Sequence, residues 1–150
     1  MRSPQFTVLL VEDDLNDIFL VKRAFKLAGF QHLLHIVTDG EEALRYLHGE
    51  GKYADRATHP LPLLIVMDIK MPGQSGFDVL REVKHDGALK RIPIVILSSS
   101  NRAEDINAAY ELGANAYMVK PMDYRAMEHL FQSITQYWGL ECAKPELEFA

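Results

Sequence analysis

Apolar runs and stretches of helical spacing alternate five times along this chain. Phe6 to Val11 has no polar alternation after Thr7 and reads as a strand buried on both faces. Ile18, Val21, Phe25 and Ala28 then recur three or four residues apart, which predicts a helix stopped by Gly29. Leu33 to Val37 is a short second strand. Asp39 and Glu42 have capping-box spacing ahead of Ala43, Leu44 and Leu47 on one helical face. Gly49 to Pro62, rich in Gly, Pro and charge, predicts a loop. Leu63 to Met67 is continuously apolar, as a central strand covered on both faces should be. Ser75 caps a third helix carrying Phe77, Val79, Leu80 and Val83, and Ile92 to Leu97 is the fourth strand. Asn101 and Glu104 signal another cap, before Ile106 to Leu112 and the stop at Gly113. Ala116 to Val119 is the fifth strand, and Asp123 caps a last helix reaching about Trp138. Gly139 to Ala150 reads as a loose tail.

Five β–α units of this length imply an α/β fold, a doubly wound five-stranded parallel sheet of (βα)5 form. The expected strand order is the flavodoxin-like 2-1-3-4-5. Residues 1–138 are expected to form one domain and residues 139–150 a C-terminal tail, with no output domain. Ligands in such sheets lie beyond the carboxyl ends of the strands.

The composition fits a globular domain, with 48% apolar and 25% charged residues. Net charge is −5 with Lys and Arg scattered, so neither nucleic acid nor an anionic membrane surface is expected as a partner. Cys142 is the lone cysteine and cannot form an intramolecular disulfide. No apolar run approaches the ~18 residues of a membrane span. Met1 to Gln5 leads directly into a strand-like run, so no signal peptide is expected and the cytoplasm is the expected compartment. The six histidines form no ligand set, and no zinc site is expected.

The strand ends carry the chemistry. Strand one ends in Glu12-Asp13-Asp14, strand three in Asp68, strand four in Ser98-Ser99-Ser100 and strand five in Lys120-Pro121. Carboxylates converging at one rim repel each other unless a cation lies among them. Oxygen ligands without His or Cys select a hard ion, Mg²⁺ above others. One lysine opposite them, with small hydroxyls beside it, offers an incoming phosphoryl group positive charge and hydrogen-bond donors. Taken singly, each feature has an ordinary use as helix cap, turn former, loop or surface charge. Their coincidence at four strand ends favours a joint function.

These residues resemble the receiver domains of two-component response regulators. The resemblance spans roughly Phe6 to Trp138 and rests on Val-Glu-Asp-Asp (11–14), Met-Asp-Ile-Lys-Met-Pro-Gly (67–73) with Gly76, Ile-Leu-Ser-Ser (96–99) and Tyr-Met-Val-Lys-Pro (117–121). It implies Asp68 as phosphoacceptor, receiving its phosphoryl group from a sensor histidine kinase. It implies Asp13, Asp68 and the carbonyl of Lys70 as direct Mg²⁺ ligands, with Glu12 acting through water. Ser98 would hydrogen-bond the phosphoryl group and Lys120 would pair with it. Tyr117 would be the aromatic switch that follows Ser98, and the Lys120–Pro121 bond would be cis. The 49–62 loop, the Arg102–Asp105 helix start and Tyr137-Trp138 look like the small regulators that partner phytochrome-type sensor kinases.

Two rival readings fare worse. A flavodoxin-like cofactor binder needs a Gly-, Ser- or Thr-rich phosphate loop after strand one, where this chain has Glu-Asp-Asp-Leu-Asn-Asp. A phosphatase of the haloacid-dehalogenase type needs Asp-x-Asp there, and Glu12-Asp13-Asp14 lacks that spacing. Lys70 and Ser100, two positions beyond Asp68 and Ser98, are placed to hinder or guide an attacking water. In the last helix Met127, Phe131, Ile134 and Trp138 suffice to face the sheet, leaving Leu130 and Tyr137 beside that stripe. With Ile106 and Tyr110 they predict a homodimer through helix four, strand five and helix five.

Overall fold

The computed structural model describes residues 6–147. Its strands are β1 (Val8–Val11), β2 (Leu34–Val37), β3 (Leu64–Met67), β4 (Ile94–Ser98) and β5 (Ala116–Val119). All pair in parallel, in the order β2-β1-β3-β4-β5. The helices are α1 (Leu15–Leu27), α2 (Gly40–His48), α3 (Gly76–His85), α4 (Ala103–Glu111) and α5 (Tyr124–Ile134). This is the flavodoxin-like arrangement that the alternating pattern predicts.

Alternation along β1, β3 and β4 explains their continuous apolar runs. Leu9, Val11, Ile65, Met67, Ile94 and Ile96 point into one core, which α2, α3 and α4 close. Val8, Leu10, Leu64, Val66, Val95 and Leu97 point the other way, against Ile18, Val21 and Phe25 of α1 and Met127, Phe131 and Ile134 of α5. Strands with two buried faces cannot alternate in polarity. Right-handed crossovers then put α1 and α5 on one face and the remaining helices on the other.

The caps follow the sequence with one displacement. Asp14, Asp39 and Asp123 each accept a backbone N–H at their helix starts, and Ser75 forms a full capping box with Asp78. Asn101 does not cap α4. Its N-cap is Arg102, and the hydroxyl of Ser100 accepts the Arg102 N–H at 3.3 Å while donating to Asp105 at 2.5 Å.

The residues after 138, expected to be loose, are docked as far as Leu147. A π-helical turn over Thr135–Glu141 extends the last helix beyond Trp138. Gly139 lies so close to Phe6 that an added Cβ would fall 2.2 Å from the ring. Lys144 Nζ donates to Gly139 O at 2.6 Å, Arg91 donates to Glu146 O at 3.3 Å, and Leu147 packs against the α2–α4 core.

Candidate functional site

The carboxyl end of the sheet collects the predicted acidic and basic side chains because β1 and β3 end in register at Val11 and Met67, and β5 runs two residues further, to Val119. Glu12 follows β1, Asp68 follows β3 and Lys120 follows β5. Glu12 and Asp68 are buried, which is unusual for carboxylates and calls for partners. Lys120 supplies them. Its ammonium lies 2.5 Å from Glu12 Oε1, 2.8 Å from Asp68 Oδ2 and 2.7 Å from Asp17 Oδ2.

Backbone donors hold the remaining oxygens. Glu12 Oε2 accepts the N–H groups of Asp13 at 3.1 Å and Asp14 at 3.3 Å. Asp68 Oδ1 accepts the N–H of Lys70 at 3.1 Å. The turn carrying Asp68 is shaped by a glycine: a Cβ on Gly76 would lie 2.4 Å from Asp68 O and 2.7 Å from Ile69 Cα. Only glycine lets the start of α3 approach this closely.

Three carboxylates sharing one ammonium leave the rim with excess negative charge. The most deeply buried of them registers it. Burial raises the Glu12 pKa to about 7, against the opposing bond and charge of Lys120, and the charge of Asp68 adds to the rise. Burial also works against the charge of Lys120, but its bonds to Asp17, Asp68 and Glu12 outweigh that and hold its pKa above the usual value.

Asp17 was not among the residues predicted for the site. It lies in the first turn of α1, where an acid is explained by the helix dipole alone. Helical spacing gave no signal for it, because Asp13 precedes the N-cap Asp14 and lies outside the helix.

Asp13 is exposed, and its carboxylate has no hydrogen bond or ion pair among the described residues. Among those residues no three acidic, His or Cys side chains close to coordination spacing, because the acids are arranged about the Lys120 ammonium. The donor chemistry nonetheless fits a hard divalent cation: oxygen donors only, excess negative charge, and a free carboxylate at Asp13 beside the buried pair.

The hydroxyl side is equally defined. Ser98 is fully buried, and its Oγ accepts the N–H of Ser100 at 3.1 Å. Its carbonyl accepts the N–H of Lys120 at 2.7 Å, tying β4 to the lysine. Ser100 was expected to face an attacking water, but its hydroxyl is engaged with Asp105 and the start of α4. The exposed side chain of Lys70 is not so engaged. Tyr117 is half-buried and donates its hydroxyl to Ser100 O at 2.8 Å, while its N–H reaches the Tyr110 hydroxyl at 3.1 Å. The Lys120–Pro121 bond is trans, not cis; trans is the lower-energy isomer by about 0.5–1 kcal/mol.

The residues expected at a dimer interface are partly open to solvent. Tyr110 and Tyr137 are 50% and 53% exposed, with Val119, Tyr124 and Leu140 also open to solvent. Ile106 is half-buried, and Leu130 packs partly against the α1–α5 core.

Comparison with known proteins gives a consistent result. The family profile of the response regulator receiver domain matches residues 8–132. Response regulator Rcp1 of Synechocystis sp. is 36% identical over 136 residues, spanning 91% of this chain and 90% of Rcp1. The crystal structure of the phosphorylated cyanobacterial phytochrome response regulator RcpA superposes with a TM-score of 0.88 at 35% identity, covering 95% of this chain and 99% of RcpA. The Mn²⁺-bound form of Rcp1 superposes with a TM-score of 0.85 at 35% identity, covering 94% and 99%.

Proposed function

The chain belongs to the response regulator receiver family, and on that premise we propose that it is a stand-alone phosphoacceptor switch whose acceptor is Asp68. The family makes it a signalling protein with a histidine kinase as its partner. The observation that carries the assignment of Asp68 is the shared hydrogen bonding of one lysine with that buried carboxylate and its acidic neighbours.

In the proposed reaction an ionised Asp68 oxygen attacks the phosphorus of the kinase's phosphohistidine. An O–P bond forms as the N–P bond breaks, and the imidazole leaves with the bonding pair. Lys120 pairs with the transferred oxygens, and the Ser98 hydroxyl turns from the Ser100 N–H to donate to them. Asp13, Asp68 and the Lys70 carbonyl would hold Mg²⁺, with Glu12 acting through water. Mg²⁺ would supply positive charge between the acceptor and the phosphoryl oxygens. The same groups let the protein catalyse its own phosphorylation and a slower hydrolysis.

The phosphoryl group adds roughly −1.5 to −2 charges at neutral pH to a rim already short of positive charge. Movement of Ser98 frees Tyr117 from Ser100 and alters the α4–β5–α5 surface. The resemblance to RcpA favours a phytochrome-type kinase, which suits a cytoplasmic compartment.

Asp68→Asn should fold normally and take up no phosphoryl group from a cognate kinase or a small-molecule donor, and excess chelator should stop uptake by the wild type. Stoichiometric uptake at another carboxylate would sink the assignment. Exposed Tyr110, bonded to the Tyr117 N–H, and exposed Tyr137 support a homodimer through Ile106, Tyr110, Leu130 and Tyr137. Sedimentation should show a dimer that Leu130→Glu with Tyr137→Glu converts to a folded monomer; a wild-type monomer with and without a phosphoryl mimic overturns it.

A further inference from the structure

A groove of about 690 Å³ runs between α1 and the sheet edge, on the side of α1 away from α5. Its apolar lining is Phe19 from α1 and Leu34 and Ile36 from β2. Phe19 is 63% exposed, and both β2 residues are half-buried on the same face of the strand. Its rim is basic. Lys22 and Lys26 line it, and neither has an acidic partner among the described residues, whereas Arg23 beside them is paired with Glu128 at 3.0 Å. On a chain of net charge −5, a groove with cationic walls and no carboxylate in its lining stands apart from the rest of the surface.

The groove's floor is also a sheet edge. Strand β2 pairs with β1 alone, so its outer side has no strand partner among the described residues. Edge strands of this kind are either blunted by nearby lysines or completed by another chain. Blunting explains the lysines but not an aromatic ring left largely in solvent beside them.

We propose that this groove docks an extended acidic segment of a partner protein, which adds to the free edge of β2. Alternate side chains of such a segment point to one face. On the face turned toward α1, its apolar residues would cover Phe19, Leu34 and Ile36, and carboxylates two positions away, on that same face, would reach Lys22 and Lys26. The segment binds away from the Asp68 rim, so docking and phosphorylation can occur together.

The test uses the full chain, labelled for NMR, and a synthetic monomeric peptide of repeating Val-Thr-Glu-Thr, which sets valine and glutamate on one face, with a Val-Thr-Lys-Thr peptide as control. The acidic peptide should shift the amides of Phe19–Lys26 and Leu34–Val37 saturably, and added salt should weaken binding because the lysines are exposed. Lys22→Glu with Lys26→Glu, and separately Phe19→Ser, should each weaken it at least about tenfold. Phosphoryl uptake from a small-molecule donor should be unchanged in both variants, confirming that they fold. No saturable shift, an equal response to the lysine peptide, or indifference to the substitutions would overturn the proposal. So would binding to phosphatidylserine vesicles, lost in the variants, without any response to the peptide: the face would then meet a membrane.

Discussion

Two clusters of polar groups are buried differently. At the carboxyl end of the sheet Glu12, Asp17 and Asp68 crowd one ammonium, so charges are paired but not balanced. Under the 49–62 loop the hydroxyls and the guanidinium are matched to acceptors, and only His59 Nδ1 lacks a partner among the described residues. The Tyr46 hydroxyl donates to Pro60 O at 2.9 Å, and Tyr53 donates to Glu42. Arg56 donates to the carbonyls of Tyr46 and Leu47 at 2.8 Å and of His59 at 3.2 Å. The rings of Tyr46, Tyr53 and His59 stack edge to face around them. The first region has unmet demand for positive charge and is suited to chemistry. The second has donors matched to carbonyls and holds a long loop in place. A substitution in one should therefore change function, and in the other stability.

The largest effect separating them is expected at Lys120. Removing one partner from a buried ionic cluster costs about 3–5 kcal/mol. Lys120→Ala should lose that much stability at mildly alkaline pH and lose phosphoryl uptake with it. The loss should shrink on acidification as Glu12, already raised to about 7, takes a proton. Urea unfolding across pH checks this; unchanged stability would mean the lysine is not compensating buried charge.

Arg56→Ala should act in the opposite sense. It loses charge-assisted bonds to backbone carbonyls and should cost about 2 kcal/mol, with phosphoryl uptake intact. A variant of full stability, or one folded but unable to accept phosphoryl groups, would erase the distinction between the regions.

The smallest effect is a pH dependence at the loop. His35 packs against Tyr46 and His59, and burial, with the nearby His59, lowers its pKa below the usual 6.5. The charged groups around this cluster are Arg56 at one end and Glu42 with Lys52 at the other, the Lys52 ammonium 5.2 Å from the Tyr53 ring centroid. A lowered imidazole pKa contributes stability that is full above 6.5 and is lost as pH falls through the folded value. The wild-type urea midpoint should fall between about pH 7.5 and about pH 5.5 by more than that of His35→Gln. An equal fall would place the titration elsewhere.

Much of this contrast could be read in the sequence, for physical reasons that differ by residue. The strands were legible because both faces are buried, leaving uninterrupted runs such as Leu64–Met67. Asp68 and Lys120 were legible because a charge at the end of such a run must lie at the rim. Asp17 was not, because an acid in the first turn of a helix has a sufficient local explanation. The cap of α4 was misplaced because Ser100 acts through its side chain from outside the local capping pattern. The docking of Gly139 against Phe6 and the bond from Tyr46 to Pro60 join positions whose contact no local periodicity encodes.

The central claim is that the unbalanced rim exists to receive a phosphoryl group on one carboxylate. Intact-mass and peptide-mapping spectrometry, after treatment with a small-molecule phosphoryl donor and Mg²⁺, tests it most directly. The account predicts one acid-labile phosphoryl group per chain, located on the peptide containing Asp68 and absent in excess chelator. Phosphate on Asp13, Asp14 or Asp17, or undiminished labelling without divalent metal, would contradict it.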